Sequence, residues 1–296
     1  MALYTRYDQV GVKEDISDII TNISPTVTPF QSMIGTEKAK QTLVQWQEDE
    51  LRAAAKNAKV DGFTAADATL TPTVMRSNYT QILEKTIKIS ATADAVATYG
   101  RAKETAHQLA KASKELKRDL EFSMVGNAQT AVAGSSTVAR EFASYQAQIA
   151  SGNVFTAGTP RALTEALVLS ASQAIYNAGA EATVLMVKPA DSLVVAGFAK
   201  AGSGLGRVIN DGSTKVVNVV DLYVSPFGEQ KVVSNRFLKA TDALLFDPAM
   251  WSTLVLRNWT RETLAKTGDN ESHMIVGEFS LKHKNYSASA LINALT

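Results

Sequence analysis

The feature that most limits how this chain can fold is one uninterrupted helical pattern from Gly100 to Gly126. Apolar or small residues recur along it at steps of four and three, on one helical face: Ala102, Ala106, Leu109, Ser113, Leu116 and Leu120. At 1.5 Å per residue such a helix is roughly 40 Å long. Its narrow stripe suits a helix laid across a sheet or against another chain better than one inside a thick core, although an ordinary surface helix stays open.

The composition is that of a folded globular protein, with 45% hydrophobic and 20% charged residues among 296. The net charge of +1 excludes a basic field over the whole chain, but not a local basic patch. Cysteine is absent, which excludes disulfides, thiolate metal sites and cysteine nucleophiles and fits a reducing cytoplasm. The first residues hold no apolar run, and no later stretch is long and apolar enough to span a bilayer. We therefore expect neither a signal peptide nor a membrane helix.

Residues 1–41 are predicted to be an arm that packs on another part of the structure, because the segment is too small to form a hydrophobic core of its own. They contain a short amphipathic piece, Val12–Ile23, in which isoleucines share one face. Two prolines then fix an extended or turning path before Gly35.

Residues 42–90 are predicted to be a projecting β-hairpin. Strands at Thr42–Gln47 and Val74–Ile89 flank a polar stretch that contains an Asp61-Gly62 turn signal. Because a two-stranded projection is barely stable alone in water, this stretch is either an interacting element or a mobile surface loop.

Residues 161–238 are predicted to be a compact α/β unit with its own core. Helices and strands alternate in its pattern at Thr164–Asn177, Thr183–Val187, Ser192–Lys200, Val216–Val224 and Glu229–Val233. The chain after 238 is mostly β, with strands at Ala243–Asp247, Ser252–Asn258 and His273–Lys282 and a possible bulge at Gly277. Residues 91–160 and 239–296 are therefore predicted to form one discontinuous domain around the long helix.

No catalytic, cofactor-binding or metal site is predicted, because no motif has the spacing that such chemistry needs. The three histidines, His107, His273 and His283, form no metal-binding pair. The glycines of Gly202–Gly206 lack the spacing of a dinucleotide-binding loop, so a flexible loop is expected there.

The acidic cluster Glu48, Asp49 and Glu50 is predicted to be a solvated or intersubunit charge patch rather than a carboxylate site. Its natural partners are the basic residues of the long helix, on the same or a neighbouring chain: Lys111, Lys114, Lys117 and Arg118. Interleaved acidic residues dilute any nucleic-acid-binding field on that helix.

Two short motifs resemble the N-terminal region of a major capsid protein family of podophages and related tailed bacteriophages. They are Ile-Ser-Pro-Thr-Val-Thr-Pro-Phe-Gln-Ser-Met-Ile-Gly at 23–35 and Trp-Gln-Glu-Asp-Glu-Leu at 46–51. The order of parts along the chain is likewise similar to the Hong Kong 97-like capsid fold, an α+β fold. The resemblance implies an N-terminal arm (1–41), an extended loop (42–90), a peripheral domain (91–160 and 239–296) with spine helix 100–126, and an axial domain (161–238).

The resemblance also implies a function without enzymatic activity or cofactor. Such subunits assemble as hexamers and pentamers into an icosahedral head and contact packaged double-stranded DNA non-specifically on the inner face. Portal, scaffold or cement proteins are further implied partners, and the expected location is the virion after synthesis in the host cytoplasm, with no membrane. Two alternatives stay open: an encapsulin-type compartment subunit, and an enzyme whose site lies between the α/β unit and the sheet.

Overall fold

The computed structural model describes residues 27–96, 103–198 and 222–296. The predicted amphipathic piece Val12–Ile23, the loop Gly202–Gly206 and the first part of the strand Val216–Val224 lie outside these residues. The described helices are α1 Pro29–Met33, α2 Ala91–Ala95, α3 Glu104–Glu121, α4 Glu165–Asn177 and α5 Pro189–Gly197.

Twelve described strands make this an α+β protein, as predicted. They are β1 Gly35–Lys38, β2 Leu43–Glu48, β3 Val74–Tyr79, β4 Gln81–Ser90, β5 Val154–Phe155, β6 Val184–Val187, β7 Leu222–Ser225, β8 Gly228–Ser234, β9 Ala243–Phe246, β10 Trp251–Thr263, β11 Asn270–His283 and β12 Ala290–Ile292. Four of them form a sheet in the order β1-β10-β11-β4, six form a sheet in the order β5-β12-β9-β6-β8-β7, and β2 pairs with β3 alone.

The predicted single strand Val74–Ile89 is divided at Thr80, so that prediction is wrong. Before Thr80, β3 pairs with β2; after it, β4 pairs with β11 in the four-stranded sheet. The Thr80 amide donates to the Thr42 carbonyl and its hydroxyl donates to Glu278, which fixes the division point. The projecting hairpin is therefore built from β2 and β3, while β4 belongs to the body of the protein.

The six-stranded sheet contradicts the expectation that 161–238 has its own core. Strands β6, β7 and β8 come from that unit, but β5, β9 and β12 come from the flanking chain. The core on this sheet mixes both sources, since Val168 and Ile175 of α4 pack with Leu245 of β9 and Ile292 of β12. The mixing occurs because β9 pairs antiparallel with β6 in the middle of the sheet.

Helix α3 continues as one π-helical turn, Phe122–Gly126, so the described rod ends where the sequence predicted. It lies on the four-stranded sheet, where its Ala112 and Leu116 pack with Ile275 of β11. The predicted apolar face is partly wrong: Ala106 and Ser113 are exposed, whereas Thr105 and Ala112 are buried. Because small and apolar residues occur at neighbouring positions along this helix, the spacing of four and three residues fits two adjacent faces. Packing on the four-stranded sheet buries the face that includes Ala112.

The end of this helix enters the main core, although its narrow stripe was judged to suit a sheet surface better than a thick core. Leu120, Met124 and Val125 pack there with Phe30 and Phe246. Phe30 belongs to the predicted arm and is fully buried in an aromatic cluster, with its ring centroid 5.3 Å from that of Phe246. The described part of the arm therefore packs on its own subunit.

Gly277 of β11 was expected to mark a bulge, and the pairing of β11 with β10 is irregular there. The β10 register shifts between Val255 and Arg257 and again between Arg257 and Thr260, opposite Gly277, whereas the pairing of Gly277 with β4 is regular. A Cβ atom at Gly277 would lie 2.5 Å from a ring carbon of Phe279 and 2.7 Å from a ring carbon of Trp259. Glycine is needed here because two aromatic rings occupy the space of its side chain.

We expect Gly277→Ala to lower the free energy of unfolding by about 1–3 kcal/mol, because both rings must shift to admit the methyl group. The measurement is denaturant unfolding followed by tryptophan fluorescence, with Gly152→Ala as the control. Nothing lies within 4 Å of a Cβ built at Gly152, so that variant should stay within about 0.5 kcal/mol of the parent. Equal stabilities of the two variants would contradict the steric argument.

Candidate assembly surface

The most unusual surface of the described chain is the segment 49–73 between β2 and β3. Every residue in it is exposed and none lies in a helix or strand. The segment nevertheless carries four large apolar residues that are more than half exposed: Leu51, Val60, Phe63 and Leu70. Within it, the Phe63 amide donates to the Val60 carbonyl across a turn at Asp61-Gly62, as the sequence predicted. Exposed apolar side chains on a coreless segment mark a surface that another molecule covers.

The base of this hairpin is fixed rigidly by Asn78 of β3. Its buried side-chain amide donates to the Leu281 carbonyl (2.6 Å) and the Ala143 carbonyl (3.2 Å). Its oxygen accepts from the amides of Ala143 (2.7 Å) and Tyr79 (2.9 Å). These four hydrogen bonds use both donors and both lone pairs of the side chain, so β3 cannot slide along the body of the protein.

A second anchor of the hairpin corrects the prediction for the acidic cluster. Asp49 and Glu50 are exposed, but Glu48 is buried. Its carboxylate accepts from Nε of Arg76 (2.5 Å) and from the Tyr286 amide (2.8 Å). Glu48 thus pairs within its own hairpin and not with the lysines of the long helix, because antiparallel pairing of β2 with β3 brings Arg76 close to it.

A stack of rings connects this anchor to the core. The guanidinium of Arg76 lies 4.3 Å from the Tyr286 ring centroid, and Tyr286 stacks on His283 at 5.6 Å. His283 in turn stacks on Trp251 at 4.0 Å, and Trp251 stacks on Tyr145 at 4.5 Å. This series of ring contacts connects the base of the hairpin to the buried core.

Burial lowers the pKa of His283 to about 3, with a smaller contribution from the positive charge of Arg76. The hydrogen bond between Nδ1 and the Gln148 carbonyl, at 2.8 Å, opposes this shift only in part. Since a carbonyl only accepts, Nδ1 carries the proton, and Nε2 accepts from the Ser289 hydroxyl at 3.0 Å. His283 is therefore a neutral structural residue and no candidate ligand.

The basic residues of α3 differ in their surroundings. Glu115 pairs with Lys85 of β4, and Lys111 lies 4.0 Å from it. Arg118 lies over the Phe237 ring at 5.6 Å. Lys114 and Lys117 are exposed, and within the described ranges neither makes an ion pair. These two lysines are free to meet another molecule.

The described residues offer no group of three or more histidine, aspartate or glutamate side chains that could hold a metal ion. His273 is buried and lies beside Thr263 and Arg261, with Thr263 Oγ1 3.2 Å from its Nδ1. In the same part of the chain, none of the helices has the length and apolar character needed to cross a membrane.

Sequence reasoning missed Asn78 and His283, which hold the hairpin in place. The polar run Arg76-Ser77-Asn78 in the predicted strand was a usable signal for the first, because such a run breaks the period of two. His283 had no clear signal, since its burial depends on Trp251 and Gln148, which are distant in sequence.

Comparison with known proteins gives one family and one fold. The family model described as SU10 major capsid protein matches residues 3–296. The major capsid protein of Escherichia phage Phieco32 is 32% identical over an alignment of 338 positions, which covers 98% of this chain and 96% of that protein.

Solved structures of low sequence identity share the fold. The capsid of a native GTA particle has a TM-score of 0.69 at 10% identity, covering 100% of both chains. A holo-SrpI encapsulin complex from Synechococcus elongatus has a TM-score of 0.65 at 9% identity, covering 100% of this chain and 96% of that one. The predicted Hong Kong 97-like capsid fold is confirmed by these neighbours.

Proposed function

We infer that this chain, which belongs to the SU10 major capsid protein family, builds the head shell of a bacteriophage by self-assembly. The chain is a structural component of the virion, and copies of it are its principal partners. The observation that carries the proposal is the exposed segment 49–73, a long apolar-bearing projection on a rigid base. In a free subunit the apolar side chains of this projection stay exposed to water, whereas in a shell a neighbouring subunit covers them.

We propose that the copies form hexamers and pentamers of an icosahedral shell around double-stranded DNA, which the inner face contacts without sequence preference. Portal, scaffold and cement proteins are the further partners of this proposal, and synthesis takes place in the host cytoplasm. The proposed role needs no catalytic residue and no cofactor.

The proposed division of the subunit follows the sequence analysis with one adjustment. Residues 1–41 are the arm, 91–160 and 239–296 the peripheral domain, and 161–238 the axial domain, which shares its sheet with β9 and β12. The adjustment concerns the extended loop predicted at 42–90. Its projecting part is the β2–β3 hairpin, because β4 lies in the four-stranded sheet.

An encapsulin-type compartment is the second candidate, because an encapsulin shares the fold. At 9% identity this likeness concerns the fold alone, whereas the phage relative at 32% identity favours a phage head. Negative-stain microscopy of the purified protein tests shell formation, and nuclease-resistant DNA in particles from infected cells separates a genome shell from an enzyme-loaded compartment. A folded protein that stays a dispersed monomer or dimer would overturn both candidates.

Deleting residues 51–70 should give a folded subunit that does not assemble normally. The strand ends Glu48 and Val74 are paired, so the deletion leaves a five-residue connection of the kind that closes many hairpins. The measurements are circular dichroism for the fold and sedimentation for particles. A full-length variant with serine at Leu51, Val60, Phe63 and Leu70 keeps the length of the segment but removes its apolar side chains. It therefore shows whether assembly depends on the length or on the apolar contacts. Normal particles from the deletion would refute the role of the segment.

A further inference from the structure

An apolar notch of about 140 Å³ lies open beside the long helix. Ser113, Leu116 and Lys117 of α3 form one wall, and Trp259 of β10 with Ile275 of β11 forms the other. The Trp259 ring packs on the ring of Phe279, with 4.6 Å between the centroids. It occupies the space that a side chain at position 277 would fill, which is free because residue 277 is glycine. The notch is therefore a fixed feature of the fold and not a gap between mobile side chains.

The size and rim of the notch define what fits it. A cavity of about 150 Å³ lined by apolar side chains accepts a benzene ring, so this notch suits one aromatic side chain. Trp259 offers a ring for an edge-to-face contact, and Lys117 can lie over the face of an inserted ring. The exposed Lys117 on the wall of the notch favours an occupant with a carboxylate next to its ring.

We propose that the occupant is Phe63 from the 49–73 segment of a neighbouring copy of this chain, an inference that rests on the proposed shell-forming function. Phe63 is the one aromatic residue in that segment, and the residue is 55% exposed. Asp61 lies two residues before Phe63 and supplies a negative charge that complements Lys117. The turn from Val60 to Phe63 already fixes the local backbone, which lowers the entropy cost of docking compared with Leu51 or Leu70.

The absence of cysteine from the chain permits a direct test, because two engineered thiols are then the only ones present. Thr64→Cys, which retains Phe63, is combined with Ser113→Cys at the rim of the notch. The matched control combines Thr69→Cys, next to Leu70, with the same Ser113→Cys. Assembled particles of each variant are treated with a short bismaleimide and run on denaturing gels.

The expected result is a ladder of interchain products for the Thr64 variant, several-fold stronger than for the Thr69 variant. An equal or stronger ladder from the Thr69 variant overturns the assignment of Phe63. A product within one chain only, or no product in normally formed particles, overturns the docking itself. If the parent chain forms no particles, it is the proposed shell function that fails, so the two failures are distinguishable.

A second measurement does not depend on crosslinking. Phe63→Ala should raise the protein concentration needed for assembly by about tenfold or more, as truncation of a central interface residue does, whereas Leu70→Ala should have a smaller effect. Ser113→Leu, at an exposed position, should block the notch and reproduce the effect of Phe63→Ala while leaving the subunit folded. Assembly of both variants at the parent concentration would contradict the proposal.

Discussion

Replacing Glu121 by alanine is expected to lower the free energy of unfolding by about 3–5 kcal/mol. The Glu121 carboxylate is fully buried and accepts from the amides of Phe30 (2.8 Å) and Gln31 (2.9 Å) and from Nδ2 of Asn235 (2.7 Å). Alanine would leave three donors without an acceptor in the interior, and each costs about 1–3 kcal/mol. Helix propensity cannot cause the loss, since alanine is the better helix former.

The measurement is denaturant unfolding of the purified protein, with Asp119→Ala as the matched control. Asp119 is an exposed acidic residue two positions away on the same helix, so its removal should change stability by less than about 0.5 kcal/mol. Glu121→Gln should fall between the two, because it keeps one acceptor oxygen but turns an NH₂ group toward other donors. A Glu121→Ala protein as stable as the Asp119→Ala protein would show that the three donors find other partners.

The role of Glu121 explains how α1, the long helix α3 and the end of β8 are joined. Phe30 and Gln31 belong to α1, Glu121 to α3, and Asn235 follows β8 of the six-stranded sheet. Burial raises the pKa of Glu121, while the hydrogen bonds from Gln31, Phe30 and Asn235 act in the opposite direction. One carboxyl group therefore connects three parts of the chain that are far apart in sequence.

The hydrophobic pattern was sufficient to predict those helices and strands whose apolar residues are buried in a regular way. Helix α4 was predicted within one residue, as Thr164–Asn177, because its apolar periodicity is regular. The structure shows Thr164 to be its N-cap, with the side chain accepting from the Leu167 amide. The strand β6 was predicted within one residue because four consecutive buried apolar residues have few alternatives between two helices.

The missed features depend on partners that are distant in sequence. Glu121 lies in a charged run, and charged side chains on a helix are normally solvated, so only the position of Phe30 and Asn235 reveals its burial. The strand from Val74 to Ile89 kept its β character throughout, so the pattern concealed that Thr80 transfers the chain from one sheet to another. For the same reason the exposed segment was predictable, but the distant partners of the residues that hold its base were not.

Lowering the pH from 7 to 5 is expected to reduce the free energy of unfolding by about 2 kcal/mol through His283 alone. The folded-state pKa of His283 is about 3, against 6.5 for the free side chain. As the pH falls below 6.5, His283 binds a proton in the unfolded chain but stays neutral in the folded chain. The contribution of His283 to stability is thus complete above pH 6.5 and is lost progressively toward pH 3.

The experiment compares the parent with His283→Gln by denaturant unfolding at both pH values. The variant should be less stable at pH 7, because it loses the ring stacked between Trp251 and Tyr286, and its loss of stability between pH 7 and 5 should be smaller by about 2 kcal/mol. Glu121 acts in the opposite direction, since its raised pKa gives a contribution that is present below pH 4.5 and lost as the pH rises through the folded-state value.

Both proteins carry Glu121, so its contribution cancels in the difference between them. His107→Gln, on the partly exposed side of α3, is the control and should keep the pH dependence of the parent. An unchanged pH dependence in His283→Gln would mean that His283 takes up its proton without unfolding, through an opening at the base of the hairpin. Because His283 stacks on Tyr286, and Tyr286 on Arg76, such an opening would release the hairpin first, and proteolysis of segment 49–73 at pH 5 would detect it.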